Sequence, residues 1–544
     1  MLPDKPSPER IALNRVTFGA RDTDIARVQA IGWAGWVDEQ LAAPLGDDPI
    51  TTQILADAAL RITYGERNDA QGTWPAVDED RPLNTLSMSG KELYGIYDDV
   101  IRTRTLPQNE INRIAEETIA ATWIRNVHNT AQIRELMVDF WHRHFNVAQA
   151  EGSQVMFTLP IYDQQVMRRY ALGNFTDLVN ANARSTAMLF YLDNAVSRAT
   201  TPNENYGREL LELHTMGGGA YLGVTTPPWN GPGPEPVGSD SRGFSDQDIL
   251  QASRALSGWT VGMNQRISNT RSLPADGQFV YEPTFHNRNA AKFLGVDLAP
   301  LQPVTDAQAD TGVAQGNKVI ELAAQHVKTA EFVVNKIAIR IFGDNPPPEV
   351  VQLAIQTWLD NRQSPDQIAS VLREILRYTP VMDGPAVKVR RPYEKVIAFA
   401  RTINSKIKPT RLMSTAFTGT KDALFLWGTP DGWPDDSDYW LSTTGLMTQW
   451  NTNLTAISNG ALSVTLRNES IDTKSTAELL DDWIGRIVGY QISQSGYDAL
   501  RAWAASSSGI QSYLGSGTAS LQTQENELRR LVALISAAPE FTYR

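Results

Sequence analysis

Apolar residues recur along much of this 544-residue chain at steps of three and four, the period of an amphipathic helix. The segment DIARVQAIGWAGWVDEQLAA, residues 24–43, repeats this pattern and ends before Pro44. The same period runs from about Leu106 through ELMVDFWHRHF at residues 135–145. Alternation typical of a strand is confined to GQFVYEPTFH, residues 277–286, which predicts one short hairpin.

This pattern predicts a mainly α fold: a large multi-helix bundle or array with long irregular loops and at most a short β-hairpin. Two segments interrupt the helical period, the proline-rich Thr225–Gly243 and the Trp/Asp-rich Trp427–Trp440. No internal repeat occurs at the period of a solenoid. We therefore expect a single large helical unit over residues 1–544, made of N-terminal helices and a loop (1–105), a central motif-bearing core (106–345) and C-terminal helices with the Trp/Asp-rich loop (346–544).

Composition and charge narrow the partners and the chemistry. The formal net charge is −12 and no Lys/Arg run is longer than KVRR at Lys388–Arg391, so we expect no nucleic-acid partner. No stretch reaches the roughly 18–20 apolar residues that a bilayer-spanning helix needs, so we expect no membrane span. The chain has no cysteine, which excludes disulfides, thiolate nucleophiles and Cys-ligated metals.

The densest polar chemistry lies in TPNENYGRELLELHTMGGG, Thr201–Gly219. We expect a helix that Thr201 caps, with Glu204 reaching back in a capping box and the three glycines ending the helix. Leucines at positions 210, 211 and 213 predict burial over a wide arc, so at least one carboxylate of this helix is expected to be partly buried and paired or perturbed. Glu209 and Glu212 are therefore candidate catalytic residues.

Further polar side chains of this segment are candidates for substrate binding: Asn205, Tyr206, Arg208 and His214. A purely structural interpretation also stays open. Arg208 and Glu212 have the spacing of an ordinary i,i+4 ion pair, and a backbone carbonyl could satisfy His214 in the core.

A second cluster lies in ELMVDFWHRHFNV, residues 135–147. On a helix, Glu135, Asp139 and His142 share one face, whereas Trp141 and His144 point elsewhere. Glu135 and Asp139 are further candidate catalytic carboxylates. The aromatic and imidazole side chains of the cluster are candidates for substrate binding: Trp141, His142 and His144. The His-x-His spacing is a weak metal signature on a helix, and hydrogen bonds inside a helix bundle would also explain His142.

Several motifs occur in the order of a known family and span nearly the whole chain: ALNRVTFGA, WVDEQL, ELMVDFWHRHFNV, LFYLDNA, NENYGRELLELHTMG, ASRALSGWT and PDGWP. In these motifs the chain resembles a bacterial family known as domain of unknown function 1800. The resemblance implies a large, mostly secreted bacterial protein, often encoded beside a partner similar to sulfatases or phosphatases. We therefore expect a secreted or periplasmic location, after removal of a signal peptide that is not present in this chain.

The function that we expect is a secreted, glycosidase-like hydrolase acting on a poly- or oligosaccharide. Cleavage of a glycosidic bond needs one protonated and one ionised carboxyl group. Burial beside leucines raises a carboxyl pKa into the range of a general acid. Glu209, Glu212, Glu135 and Asp139 supply the candidates. Trp433, in the Trp/Asp-rich loop, is a candidate platform for a sugar ring, although packing of the loop on the core would explain it too.

Two alternatives come from other functional classes. The first is a metal-assisted hydrolase that holds a divalent metal with His142, His144 or His214 together with Glu209 and Glu212; the glycosidase needs no cofactor. The second is a non-enzymatic cell-surface or secretion-associated protein whose polar network is architectural. A nucleotide-binding loop or a G-x-S-x-G elbow is missing from the sequence, which argues against kinases, dehydrogenases and serine hydrolases.

Overall fold

The computed structural model of the protein describes residues 2–289, 291–298, 309–384, 387–410, 413, 422–469, 472–473 and 475–544. Within these ranges the fold is mainly α, with strands only in short two-stranded antiparallel sheets. The predicted fold class is therefore confirmed.

Short β-strands interrupt the series of N-terminal helices, and the sequence pattern did not predict them. Helix α1 begins at Pro8, and the Ser7 hydroxyl caps it by accepting a hydrogen bond from the Arg10 N–H at 3.3 Å. The four helices of this part are α1 (Pro8–Val16), α2 (Asp22–Leu41), α3 (Pro49–Asp57) and α4 (Gly90–Asp98). Between α3 and α4 lie β1 (Ala59–Tyr64), β2 (Arg67–Asp69), β3 (Gly72–Trp74) and β4 (Val77–Pro82), with β1 paired to β4 and β2 to β3.

The central helices contain the motifs singled out in the sequence. They are α5 (Asn109–His128), α6 (Gln132–His144), α7 (Ser153–Met156), α8 (Leu159–Ile161), α9 (Phe175–Arg184), α10 (Thr186–Tyr191), α11 (Glu204–Glu209), α12 (Asp246–Ala255), α13 (Ala309–Ala324) and α14 (Val327–Phe342). Every residue of α6 is buried, so its polar side chains all require partners inside the protein. This helix therefore lies in the core and not at its edge.

The strand pattern at residues 277–286 is confirmed in part. Its first half belongs to β6 (Ala275–Tyr281), which pairs with the preceding β5 (Trp259–Met263), whereas Pro283–Phe285 form a 3-10 turn. A further hairpin joins β7 (Ala291–Phe293) to β8 (Val296–Leu298). The polar, largely exposed β4 carries no alternation, which is why the sequence pattern did not reveal it.

The C-terminal part is again helical. Its elements are α15 (Pro348–Asp360), α16 (Gln367–Arg377), α17 (Pro392–Thr402), β9 (Lys406–Ile407), α18 (Ser437–Trp440), α19 (Thr443–Ser458), β10 (Leu462–Ser463), α20 (Thr476–Ile487), α21 (Gln494–Ser506), α22 (Ser508–Tyr513), α23 (Leu521–Ile535) and α24 (Pro539–Thr542). The subdivision of the chain at residues 105 and 345 stays a prediction.

One hydrophobic cluster extends from α1 to α24, and the buried α6 lies within it. Of the helices in the described ranges, none combines the length and the apolar character that a bilayer crossing requires.

Candidate active site

Helix α11 and the π-helical turn that follows it, Leu210–His214, carry two of the candidate carboxylates. Asn203 caps the helix, because its side-chain oxygen accepts hydrogen bonds from the N–H groups two and three residues further on, at 2.8 and 3.4 Å. The cap predicted at Thr201 was wrong, since Thr201 pairs with Arg198 in an isolated β-bridge. The helix therefore begins two residues later than the sequence indicated.

Glu209 and Glu212 lie three positions apart where α11 runs into this turn, and both are partly exposed. Arg208 lies between two carboxylates: its Nη1 is 4.0 Å from Glu212 Oε2, and its Nη2 is 3.2 Å from Asp246 Oδ1. Burial raises the pKa of Glu209, and the charges of Glu212 and Asp431 raise it further against the opposing effect of Arg208. Glu209 therefore keeps its proton to a higher pH than an ordinary glutamate does.

Asp431 reaches this neighbourhood from the Trp/Asp-rich loop. Asn146 holds the loop, since its Nδ2 donates to the carbonyl oxygens of Trp427 at 2.9 Å and Thr429 at 2.8 Å. Asp431 Oδ1 in turn accepts hydrogen bonds from the Thr429 hydroxyl at 2.5 Å and from the Trp427 indole at 3.3 Å. The carboxylate is thus oriented by its own loop, which is fixed to the end of α6.

Tyr191 adds a hydroxyl to the same neighbourhood. Its Oη donates a hydrogen bond to the Gly428 carbonyl at 3.2 Å. Burial raises the pKa of Tyr191, and the carboxylates of Glu151, Asp431 and Glu209 raise it further. The hydroxyl therefore stays protonated at neutral pH.

A pair formed by the buried His144 and the partly buried Lys336 lies beside this acidic group. His144 Nε2 is 3.0 Å from the carbonyl oxygen of His214, which can only accept, so Nε2 carries the proton of the neutral ring. His144 Nδ1 then accepts a hydrogen bond from Lys336 Nζ at 3.2 Å. Burial and the Lys336 charge hold the pKa of His144 well below its usual value. Burial also lowers the pKa of Lys336, against the charges of Asp435 and Asp431.

Three predicted substrate contacts lie in the core. Tyr206, His214 and Trp141 are completely buried. The Trp141 indole donates to the Ala171 carbonyl at 2.9 Å. Neither the Tyr206 hydroxyl nor the two ring nitrogens of His214 have a hydrogen-bond partner among the described residues. Because burial keeps all three side chains from solvent, none of them is assigned to the proposed site.

Trp433 is also packed onto the core. It is 8% exposed, and the Arg143 guanidinium lies over its ring, 4.6 Å from the centroid. Gly432 adopts φ +74°, and a Cβ there would lie 1.9 Å from the Arg143 carbonyl oxygen. The second interpretation of Trp433, packing of the loop on the core, is the one that this geometry supports. In the same loop Trp427 is partly exposed and Tyr439 is 44% exposed.

Glu135 is enclosed in an ion-pair network. It is completely buried, and its two oxygens accept from Arg168 Nη1 at 2.8 and 2.9 Å and from Asn129 Nδ2 at 3.0 Å. Arg168 Nε also donates to Asp163 Oδ2 at 2.8 Å, and Asp163 Oδ1 lies 3.0 Å from His142 Nε2. Burial raises the pKa of Glu135 against the charge of Arg168. Glu135 and the predicted substrate contact His142 therefore belong to one buried network.

Asp139 belongs to a second network. Its oxygens accept from Arg143 at 2.9 Å and from Arg391 at 3.0 Å, and Arg340 lies 3.5 Å away. Glu394 shares the last two cations, at 3.0 Å from Arg391 Nη2 and 2.5 Å from Arg340 Nη2. The four predicted carboxylates thus divide into a partly exposed pair, Glu209 and Glu212, and two buried residues with arginine partners. We do not assign catalysis to the buried two.

Sequence reasoning missed most of the residues that accompany Glu209. Asp431 and Tyr191 occur in the motifs PDGWP and LFYLDNA, and their positions in the sequence do not indicate that they lie near α11. Lys336 lies on α14, outside the motifs quoted above. Asn205 is exposed in the first turn of α11, and its predicted substrate contact stays a prediction.

The predicted metal ligands are not assembled as a site. His142 contacts Asp163, His144 contacts Lys336, and His214 is enclosed by aromatic rings such as Phe145 at 5.2 Å between centroids. Among the residues that the structure describes, no three His, Asp or Glu side chains are grouped so that they could hold a metal ion.

Comparison with known proteins gave one match. A family model described as "Protein of unknown function (DUF1800)" matches residues 11–543. A search of curated proteins and a search of solved structures found no match.

Proposed function

The chain belongs to the DUF1800 family, and we propose that it is a glycan-active hydrolase whose paired carboxylates are Glu209 and Glu212. The proposal depends on one observation: burial and the neighbouring carboxylates raise the pKa of Glu209, while Glu212, three residues away, lies beside the cation of Arg208. A carboxyl group whose pKa is raised, beside a second carboxylate, is typical of an acid–base pair.

In this mechanism Glu209 is the general acid. It donates its proton to the glycosidic oxygen as the bond to the anomeric carbon breaks. Glu212 acts on the other side of the sugar, either as a nucleophile that forms a glycosyl ester or as a base that activates water. Carboxyl groups about 5–5.5 Å apart give retention of configuration, and a separation of about 6.5–9.5 Å gives inversion. The anomer first formed, followed by NMR, distinguishes the two.

The substrate that we propose is a poly- or oligosaccharide. Amphipathic aromatic rings suit the C–H faces of pyranoses, and Trp427 and Tyr439 present such rings on the loop that carries Asp431, 6.2 Å apart between centroids. Asn205, exposed on α11, and Arg208 supply polar contacts to sugar hydroxyls.

Location and partner follow from the same proposal. We propose that the enzyme is secreted or periplasmic. We also expect a sulfatase-like protein to act on the same glycans. The support for both is the family resemblance in the motifs quoted above. Fractionation of the native host and co-purification of the two proteins test them.

A reducing-end assay across a polysaccharide panel tests the activity. Glu209→Gln and Glu212→Gln are each expected to lower the rate by about a hundred- to ten-thousandfold, the usual contribution of a general acid or base. Glu204→Gln is the matched control, because Glu204 is an exposed acid on the same helix; its activity should equal that of the wild type. Equal activity in all three variants would disprove the assignment of the two residues.

The non-enzymatic alternative is favoured by a different observation. Glu135 and Asp139 have arginine partners in the core, as expected for a polar network that specifies packing. On this alternative no polysaccharide of the panel is cleaved, and both glutamine variants fold and behave as the wild type. For the metal-assisted alternative, metal analysis of protein purified without chelators gives a direct answer.

A further inference from the structure

A polar groove lies between α9, α13 and the segment at residues 363–365, with a volume of about 510 Å³. Ligand sites typically enclose about 300–1,000 Å³. We propose that this groove is a binding site for a neutral oligosaccharide, separate from the site of Glu209 and Glu212. None of the candidate active-site residues described above lines it.

The lining of the groove is rich in carboxamides. Five of its residues carry one: Asn174, Asn180, Asn317, Gln325 and Gln363. A carboxamide both donates and accepts hydrogen bonds, as does a sugar hydroxyl. A row of such groups therefore matches a ligand with many hydroxyls and no charge.

Some of these amides are structural, and others are available to a ligand. Asn174 is structural, because its Nδ2 donates to the carbonyls of Arg362 at 2.9 Å and Ser364 at 2.8 Å. Asn180 donates to the Thr176 carbonyl at 3.2 Å, but its Oδ1 is buried and has no hydrogen-bond partner among the described residues. A buried acceptor of this kind is usually satisfied by an ordered water, whereas the exposed carboxamide of Gln363 is open to a ligand.

A second unsatisfied atom lies in the same groove. Arg184 Nη2 donates to Asn317 Oδ1 at 2.5 Å, which leaves the Asn317 amide N–H groups for another acceptor. Arg184 Nε is buried and has no partner in the described part of the chain. The guanidinium lies over the ring of Trp259, 5.1 Å from the centroid, which fixes its position. Both unpartnered atoms are buried atoms of residues that line the groove, so the groups open to a ligand are the Asn317 amide N–H groups and the carboxamides of Gln325 and Gln363.

The other lining residues favour a neutral sugar over other ligands. Asp177 and Glu321 contribute carboxylates, which repel phosphate or an anionic glycan. The apolar lining is limited to Ala181 and Pro365, so the groove has no pocket for the large apolar side chains of a peptide. Tyr170 is partly buried at the edge and offers an aromatic ring to the C–H face of a sugar.

The site does not depend on hydrolysis, because binding here needs neither Glu209 nor Glu212. In a glycan-active enzyme it would hold part of the polymer chain while another part is cleaved. In a non-enzymatic surface protein it would be the principal glycan contact. Binding and cleavage can therefore fail independently of each other.

Isothermal titration of the full-length protein tests the proposal. The probes are cellohexaose, maltohexaose, xylohexaose, mannohexaose and chitohexaose, and a neutral hexapeptide is the non-sugar comparison. At least one sugar is expected to bind with a Kd below about 1 mM. Gln363→Ala and Gln325→Ala should each weaken it by about five- to tenfold, as for the loss of one hydrogen bond.

Gln165→Ala is the matched control, since Gln165 is an exposed glutamine that does not line the groove. This variant should keep the wild-type Kd, and circular dichroism should show that all variants fold. Three results would overturn the proposal: no probe sugar binds, the groove variants bind like the wild type, or the peptide binds as tightly as the sugars. If the wild-type protein binds a probe sugar but cleaves no polysaccharide of the panel, the result counts against the catalytic roles of Glu209 and Glu212 and not against the groove.

Discussion

Lys336 donates a hydrogen bond to His144 Nδ1 across 3.2 Å, and the opposite nitrogen of the ring donates to a backbone carbonyl. The imidazole is therefore held as the neutral Nε2–H tautomer between a cation and a carbonyl oxygen. This arrangement makes His144 a hydrogen-bonding support for Lys336 and not a proton donor at neutral pH.

The Lys336→Met variant tests this relationship. Removal of the lysine charge is expected to raise the pKa of His144, while burial still keeps it below the ordinary value. In nitrogen-15 NMR the wild-type ring should show the Nε2–H tautomer and no titration from pH 8 to pH 5. Lys328→Met, which removes an exposed lysine from α14, should leave the His144 signals unchanged. An Nδ1–H tautomer in the wild type would contradict the arrangement.

The pH profile of cleavage is predicted from Glu209. A general acid is active while protonated, so kcat/KM falls as the pH rises through the pKa of Glu209, which lies above the usual value. Asp431→Asn removes one of the charges that raise this pKa and should move the alkaline limb to lower pH. Asp438→Asn, at an exposed position of the same loop, should leave the limb in place. If the alkaline limb is unchanged in Asp431→Asn, the group that titrates in this limb is not Glu209.

Loss of Arg168 is predicted to destabilise the fold strongly. Arg168→Met leaves the buried carboxylates of Glu135 and Asp163 without their shared cation, and breaking such a pair typically costs about 3–5 kcal/mol of the free energy of unfolding. Urea unfolding measures the loss. Arg169→Met, at the exposed neighbouring position, should change stability by less than about 0.5 kcal/mol. If Arg168→Met lowers the free energy of unfolding as little as Arg169→Met does, the network does not stabilise the fold.

Gly207 is predicted to be required for the contact between α11 and α12. A Cβ at this position would lie 2.2 Å from Ser253 Oγ and 2.9 Å from the Ile249 carbonyl oxygen. Gly207→Ala should therefore cost about 1–3 kcal/mol of stability by overpacking. Gly95→Ala is the opposite case, because no described atom outside the neighbouring residues and the backbone of its own helix lies within 4 Å of the added methyl group, and it should stabilise α4 by up to about 1 kcal/mol. Thermal unfolding compares the two, and a stabilising Gly207→Ala would refute the close contact.

The helical period predicted most of the fold, because helix formation is visible in local spacing. Local spacing says nothing about which charges meet in the core. The partner of Glu135, Arg168, is 33 residues away, and the partner of Asp139, Arg391, is 252 residues away. Only Arg143, at i+4 from Asp139, could have been found from the helix itself.

The candidate site likewise has features that local sequence predicts and features that depend on the tertiary fold. The carboxylates of α11 could be singled out because they accompany leucines on one short helix. The raised pKa of Glu209 depends in part on Asp431, which approaches it through the tertiary fold. The cap at Asn203 has a local cause instead, since Thr201 forms a bridge with Arg198, three residues earlier, and the next suitable side chain caps the helix.

The arrangement around Asp139 has a consequence for synthesis on the ribosome. Its cations come from α6, α14 and the residue before α17: Arg143, Arg340 and Arg391. A nascent chain that has emerged only as far as α13 offers this carboxylate a single arginine. The ion pairs of Asp139 can therefore be complete only after the chain up to Arg391 has left the exit tunnel.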